Sequence, residues 1–598
     1  MERTHWSTAT LDGPEMISTF KVLVLVVVAF FVLRPIVRFV ARPYTAVSKT
    51  LKVVPITNFF WGSWPSHAEL RGEIDIYIER TIKEYGPIYG LTLFGRRPAV
   101  VVGDHRGMNR ILLQTPYDRV PLISKAVRRH VGAGLLAMEG QDHRRQRKVA
   151  FPSFTASAIQ NMTPIFHEKA EIWIARLRQQ VASDTTAETQ IYGFKLNMAK
   201  EFFSFALDVI GLAGFDYEFN SLAGLETSPL ERAFSECLHL LTTGTVYSAL
   251  RTLLSEPMEW IGRKLGVREQ LELDSHKKLV DGISAELVQR AKSEDASGKK
   301  DLLTLMGAYN LDSDAILGGD KSGHQTDLTS TCTVRANTSE DLKESQRLSD
   351  EELAQMVPVF LFAGHETTAT ALCWAMLALS DPANGPSVQQ RLRKELSANP
   401  SWRDNPVNLD ALPYLDAFCR ETMRFYSPVR HLFRRAPWDD VIPLSKPYQR
   451  RDGSWSTELH VKKGTQVIIP ITYLNRDESF WGPDGNVFKA ERWLPDGHEF
   501  KEPNDDYMDP SVKELRGVWS NLASFGAGPQ QCIGVRMAVG EFKVAIAHLV
   551  NSFEVLPPNL PNEPPVDIIG IAELVVHPKI EGRRHEGTAM PVRLKALP

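Results

Sequence analysis

The stretch Phe525-Gly-Ala-Gly-Pro-Gln-Gln-Cys-Ile-Gly534 constrains this chain more than any other. Gly526, Gly528 and Gly534 carry no Cβ, so backbone here can come close to a flat bound group and to the sulfur of Cys532. The run that follows, Val535 to Phe553, has helical apolar spacing. Cys532 therefore sits just before a helix N-terminus, whose dipole favours negative charge. A sulfur that serves as a ligand must be a thiolate, so its surroundings are expected to lower its pKa. Backbone N–H groups can then tune its donor strength. Taken alone, the loop also admits a plainer reading, a glycine turn around a buried cysteine.

The remaining cysteines, Cys237, Cys332, Cys373 and Cys419, form no C-x-x-C pair, and a total of five suits no disulfide framework. This argues against a zinc ribbon or a dithiol redox motif and fits a reducing compartment. A length of 598 residues admits several domains or one large one. A net charge of -3 gives no sign of a nucleic-acid partner. Apolar residues recur every three or four positions in Phe166 to Val181, Leu196 to Leu212, Glu231 to Leu241 and His276 to Lys292. Strand-like pieces occur at Arg97 to Gly103, Gln466 to Ile471 and Ala572 to His577. The expected fold is mainly α with small peripheral β-sheets.

Near the N-terminus, Val22 to Leu33 is an unbroken apolar run, extendable back to Ile17. It ends in Arg34-Pro35 without a small-residue cleavage site, and Arg38 and Arg42 follow. The basic flank marks the cytosolic side. The expected organisation is a lumenal N-terminus (1–16), one transmembrane anchor (17–40), a hinge (41–65) and a cytosolic body (66–598). On that side the acceptor patterns at Asn161 and Asn337 should stay unmodified. Within the body, Gly307 to Thr333 is rich in Gly, Asp, Ser and Thr and lacks apolar periodicity. It reads either as an irregular surface loop or as intron sequence retained in the gene model.

Four motifs lie in order along the body. Gly140-Gln-Asp-His143-Arg-Arg-Gln-Arg147-Lys is a dense basic stretch with His143 and Arg147 one helical turn apart. Ala363-Gly-His-Glu-Thr-Thr368 lies inside the helix-like run Leu353 to Leu379. Gly364 and the hydroxyl of Thr367 can open the helical ladder there, and Glu366 beside Thr367 supplies an acid and an alcohol for proton transfer. Glu421-Thr-Met-Arg424 places a carboxylate and a guanidinium on one helix face, and Arg492 follows in Phe488-Lys-Ala-Glu-Arg492-Trp. The last motif is the Cys532 loop.

Taken together, these residues resemble the cytochrome P450 family, whose haem-binding signature F-x-x-G-x-x-x-C-x-G is matched by Phe525, Gly528, Cys532 and Gly534. The resemblance covers almost the whole chain. The tracts LSDEELAQMVPVFLFAGHETTAT and DDVIPLSKPY look most like fungal members. It implies haem b with Cys532 as the axial thiolate, which pushes electron density toward O–O cleavage. It implies a proton relay through Glu366 and Thr367, and a structural triad of Glu421, Arg424 and Arg492. His143 and Arg147 would clasp a haem propionate. His365 would face away from the haem. One position departs from the family: the residue two before the cysteine is usually basic, and here it is Gln530, which leaves that propionate contact in doubt.

The reaction so implied inserts one atom of O2 into an organic substrate, with electrons from NADPH through a separate cytochrome P450 reductase and with cytochrome b5 as a further donor. No G-x-G-x-x-G opening a strand-helix unit is present to bind the nicotinamide in this chain itself. Arg144, Arg145 and Lys148 are expected to meet an acidic reductase surface. By position, substrate would touch Leu122, Phe360, Ala363, Val429, Leu432 and Ile569. These apolar residues suit a hydrophobic substrate, such as a terpenoid, a fatty-acyl chain or an aromatic secondary metabolite. The location implied is the endoplasmic reticulum membrane. A redox-neutral P450-fold isomerase or dehydratase and a non-catalytic haem-binding protein are the competing classes, and the intact Glu366-Thr367 pair counts against both. For segment 307–333, sequencing the messenger RNA decides: retained intron sequence predicts a main transcript without it, and transcripts that consistently contain it contradict that reading.

Overall fold

The computed structural model describes residues 50–57, 62–63, 73–93, 97–223, 251, 256–292, 301–311, 347–403, 409, 411–501, 518–572 and 574–598. Helix α1 (Ile74–Tyr85) leads into strands β1 (Ile88–Leu93) and β2 (Arg97–Val102). The short β3 (Asp118–Arg119) precedes α2 (Pro121–His130) and α3 (Gly140–Ala150). Then come α4 (Ala156–Ser183), β4 (Phe194–Asn197), α5 (Met198–Phe215), α6 (Arg268–Ala291), α7 (Leu302–Leu311) and α8 (Asp350–Leu379). The next helices are α9 (Gly385–Ala398) and α10 (Pro413–Phe425), followed by β5 (His431–Arg435), β6 (Asp440–Gln449), β7 (Trp455–Val461) and β8 (Gln466–Pro470). Helix α11 (Val535–Ser552) and strands β9 (Phe553–Leu556), β10 (Ile568–Ala572), β11 (Val576–Ile580) and β12 (Pro591–Ala596) complete the chain.

Helix α8 is the axis of the helical core. Its apolar residues are buried on nearly every side from Leu353 to Leu379, as a helix surrounded by other helices requires. Ser349 and Glu352 form a reciprocal capping box at its start: Glu352 N–H donates to Ser349 Oγ at 3.1 Å, and Ser349 N–H donates to the Glu352 carboxylate at 2.9 Å. Helix α5 packs closely across it. A Cβ on Gly364 would come within 2.9 Å of the Ile210 side chain, so the glycine permits this approach. The largest sheet runs β1-β2-β8-β5-β3, with β2 and β8 parallel and the other pairs antiparallel. Smaller sheets are β4-β12-β9, β6-β7 and β10-β11.

The mainly helical expectation holds, with local differences. Leu196 lies in β4, paired with Val592, and the helix starts only at Met198, because the Asn197 side chain caps it by accepting from Ala199 N–H. Ala572 to His577 is not one strand but the turn of the β10-β11 hairpin, whose last pair is Ala572 with Val576. Apolar content alone carried no turn signal there. Residues 307–311 of the expected irregular segment continue α7, since one glycine costs a helix only about 1 kcal/mol against the burial of Leu302, Leu303 and Met306. The expected hinge is body in part: Leu51 and Val54 are buried, Val53 pairs with Gly90, and Ser63 Oγ donates to Val54 O at 2.8 Å. The expected anchor (17–40) and the 231–241 helix lie outside the described residues. No helix among the described residues is long and apolar enough to cross a membrane.

Glu421, Arg424 and Arg492 meet as the motif implied, all fully buried. Arg424 donates to both Glu421 oxygens at 2.7 and 2.8 Å, and Arg492 Nε donates to Oε1 at 3.2 Å. Lys489 N–H and Trp493 Nε1 complete the carboxylate's shell at 2.6 and 2.9 Å. Arg424 also donates to the carbonyls of Asn475, Gly485 and Val487, tying α10 to the irregular segment before the Cys532 loop. Burial by itself would raise the Glu421 carboxyl, but the two guanidiniums and the Lys489 N–H hold it below its ordinary value. Removing one member strands a buried charge. Arg492→Ala should therefore destabilise the fold by about 3–5 kcal/mol, read as the shift of the chemical denaturation midpoint; a variant of wild-type stability would contradict this role.

Candidate active site

One cavity of about 1050 Å3 lies between α8, the Cys532 loop, α2, the start of β5 and the β10-β11 hairpin. Along α8, Phe360, Ala363, Gly364, Thr367, Thr368 and Ala371 reach its wall, the spacing of one helix face. Leu122, Val429 and Leu432 also line it, as expected. Ile569 does not. Ile571, two residues further along the same strand, stands on the wall instead, because the hairpin meets the cavity at its turn end.

The loop that carries Cys532 is fixed by its backbone. Cys532 N–H donates to Phe525 O at 2.9 Å, and Arg147 Nη1 donates to Gln531 O at 2.7 Å. Gly526 has a φ of 67°, which favours glycine, and it lies on the cavity wall with Phe525, Gln530, Cys532 and Gly534. Gly528 has another task than the expected cofactor contact. It is absent from the wall, and a Cβ there would come within 2.1 Å of Leu112 O, so it lets the loop dock on the segment before β3. Cys532 is exposed to the cavity. Burial pushes its thiol up, and the Gly534 N–H and Arg147 offset only part of that. The Gly534 N–H and Arg147 act in the direction expected of the loop, and desolvation opposes them. A cation bound at the sulfur would favour the thiolate.

Beside the loop stands a set of basic side chains. His143 and Arg147 are on the cavity wall as expected, and they are joined there by Arg119 and Arg434, which the sequence reading missed. Arg434 is buried within a strand, and the hydrogen bond found for it runs to the neighbouring Phe433 O at 3.0 Å. Arg119 donates to Leu135 O and Met138 O. Neither has a carboxylate within ion-pair distance among the described residues. Burial, and for Arg434 the charge of Arg119, lowers both guanidiniums to about 10. His143 is lowered to about 4, first by burial and then by Arg119, Arg147 and Arg144, so it is neutral at physiological pH. Gln530 adds an amide whose oxygen is buried without a partner. Buried cations persist only when matched by negative charge, so this corner is built for an anionic group. The tandem arginines Arg434-Arg435 in an otherwise apolar strand were the available signal. Arg145, in contrast, is not free for a partner surface, since it pairs with Glu352 at the start of α8.

The acid and the alcohol on α8 separate. Thr367 faces the cavity, and its hydroxyl donates to Ala363 O at 2.6 Å. The helix runs on through Gly364 and Thr367, contrary to the expected opening. Glu366 points off the wall, about 100° round the helix from Thr367. Its carboxylate oxygen lies 2.9 Å from Nε2 of His577 on β11, and both residues are buried. His365 also faces away from the cavity, edge-on to Phe203 with ring centroids 5.1 Å apart.

A family model described as Cytochrome P450 matches residues 54–580. Cytochrome P450 monooxygenase 205 of Postia placenta is 32% identical, over 88% of this chain and 88% of its own length. Cytochrome P450 monooxygenase 128 of the same fungus is 33% identical over 93% and 94%. Cytochrome P450 monooxygenase claU of Ampulloclitocybe clavipes is 29% identical over 88% of each chain.

The residues present fit the haem of such proteins. A flat group with two propionates supplies the negative charge that Arg119, Arg147 and Arg434 call for, and Gln530 can donate to it as a neutral amide. Gly526 and Gly534 keep the loop surface low beside the sulfur. This chain belongs to the cytochrome P450 family, as a monooxygenase that carries haem b on a cysteine thiolate.

Proposed function

We propose that Cys532 is the axial thiolate and that the enzyme inserts one oxygen atom of O2 into a hydrophobic organic substrate, with electrons from NADPH through a separate reductase. The observation that carries this reading is that Cys532 and Thr367 border the same apolar cavity. Bound haem supplies the O2-activating iron, and the thiolate increases its electron density. The chain does the rest. Arg119, Arg147 and Arg434 fix the propionates, and Gln530 adds a hydrogen bond where a further cation is usual. Leu122, Phe360, Val429, Leu432 and Ile571 exclude water and hold the substrate by burial.

Thr367 brings its hydroxyl oxygen to the cavity, its proton reaching inward once it turns from Ala363 O, and Glu366 lies behind it. In its present rotamer Glu366 is engaged by His577, so its proton reaches the cavity only when the carboxyl turns toward Thr367 or passes it by water. On the outer surface, Arg144 and Lys148 of α3 give the reductase a basic landing site. Residues 17–40 would anchor the enzyme in the endoplasmic reticulum membrane, with the body in the cytosol. A terpenoid, fatty-acyl or aromatic metabolite suits the apolar wall.

Reconstitution with an NADPH-dependent reductase tests this reading. Thr367→Ala should retain the thiolate-type carbon monoxide spectrum while product formed per NADPH falls at least about tenfold, the scale of a lost proton-transfer group. Unchanged coupling in Thr367→Ala would contradict the assignment.

A further inference from the structure

A second polar station stands on the cavity wall, formed by Asp75 of α1 with Arg430 and His431 at the start of β5. Arg430 Nη1 donates to Asp75 Oδ2 at 3.3 Å, and His431 Nδ1 lies 2.8 Å from Asp75 Oδ1. The guanidinium rests over the Trp374 ring, 5.1 Å from its centroid. Beneath it is Gly570, where a Cβ would come within 2.7 Å of both Nη1 and Nη2. An ion pair, an aromatic face and a glycine gap thus hold one planar fork in place. The fork remains half used: Nε and Nη2 have no protein acceptor among the described residues.

This station is separate from the propionate corner. Arg430 precedes Arg434 by four residues of extended chain, a span of roughly 13 Å. Asp75 is almost wholly buried and holds Arg430 and His431 together, engaging one edge of the guanidinium and leaving the other to the cavity. The cavity wall also carries apolar Ile74, Val429 and Ile571 and basic Lys579 and Arg584, the latter paired with Glu73. A guanidinium fork with spare donors in low dielectric recognises a carboxylate in two-point fashion. An ester or an alcohol of the same length offers it a weaker partner.

The geometry points to an amphipathic carboxylic acid as the substrate class, its carboxylate held by Arg430 and its apolar body directed toward the Cys532 loop. Asp75, Trp374 and Gly570 act as positioning residues for that fork. This inference rests on the monooxygenase reading and deepens it, since it names the end of the substrate that is not oxidised.

The test is optical titration of the full-length, haem-loaded protein with dodecanoic acid and with methyl dodecanoate. The acid should shift the haem spectrum with a Kd at least about tenfold lower than the ester, the scale of a charge-assisted hydrogen bond. Arg430→Gln should abolish that preference, raising the acid's Kd to that of the ester or above it. Arg430→Lys keeps the charge beside Asp75 and so guards against misfolding; it should lower the preference several-fold, because the fork is lost. Equal affinity for acid and ester in the wild type, or an undiminished preference in both variants, overturns the inference. The carbon monoxide spectrum of the same samples reports separately on the haem-thiolate reading, so the two failures are distinguishable.

Discussion

The Glu421 carboxylate, with no exposure to water, is the constraint on which the rest of the architecture depends. A buried charge of this kind is tolerable only when every lone pair is answered. Here the answers come from Arg424 on its own helix, from Arg492 and Trp493 some seventy residues later, and from the Lys489 backbone. Arg424 spends its remaining donors on three carbonyls of the irregular segment. The cluster therefore fixes a stretch that has little regular secondary structure of its own. That stretch leads into the Cys532 loop, whose position relative to α8 is what makes a site.

Electrostatics divides the cavity into two stations. Around the cysteine loop, Arg119, Arg147 and Arg434 form a cationic corner in which Glu139 offsets only part of the charge of Arg119 and Arg434, a state that favours binding of a negatively charged group. At the start of β5, Asp75 pairs with Arg430 and lies against His431, so the guanidinium is held in place yet keeps spare donors. Between the two the wall is apolar. The same few residues of chain, Arg430 to Arg434, contribute to both stations because an extended strand carries them from one to the other.

Much of this was legible in the sequence, where chemistry leaves a local pattern. The Cys532 loop announced itself by its glycines and the helix after it, and Glu421-Arg424 by its i, i+3 spacing. Relations set by tertiary packing were not legible. Nothing in the sequence near Glu366 shows that its carboxylate meets His577, since the two come together only when the β10-β11 hairpin lies along α8. Gly528 carries the family signature, yet its glycine requirement comes from the Leu112 carbonyl, a contact more than four hundred residues away in sequence. Arg119 carries no local pattern that marks it for the cavity wall; only the fold brings it there beside Arg434.

The account stands or falls on the sulfur. The most direct measurement is the reduced carbon monoxide difference spectrum of the wild type and of Cys532→Ala, with Cys373→Ala and Cys419→Ala, both buried away from the cavity wall, as controls. The account predicts a thiolate-type spectrum in the wild type and both controls, and its complete loss in Cys532→Ala. A thiolate-type spectrum that survives in Cys532→Ala would contradict it.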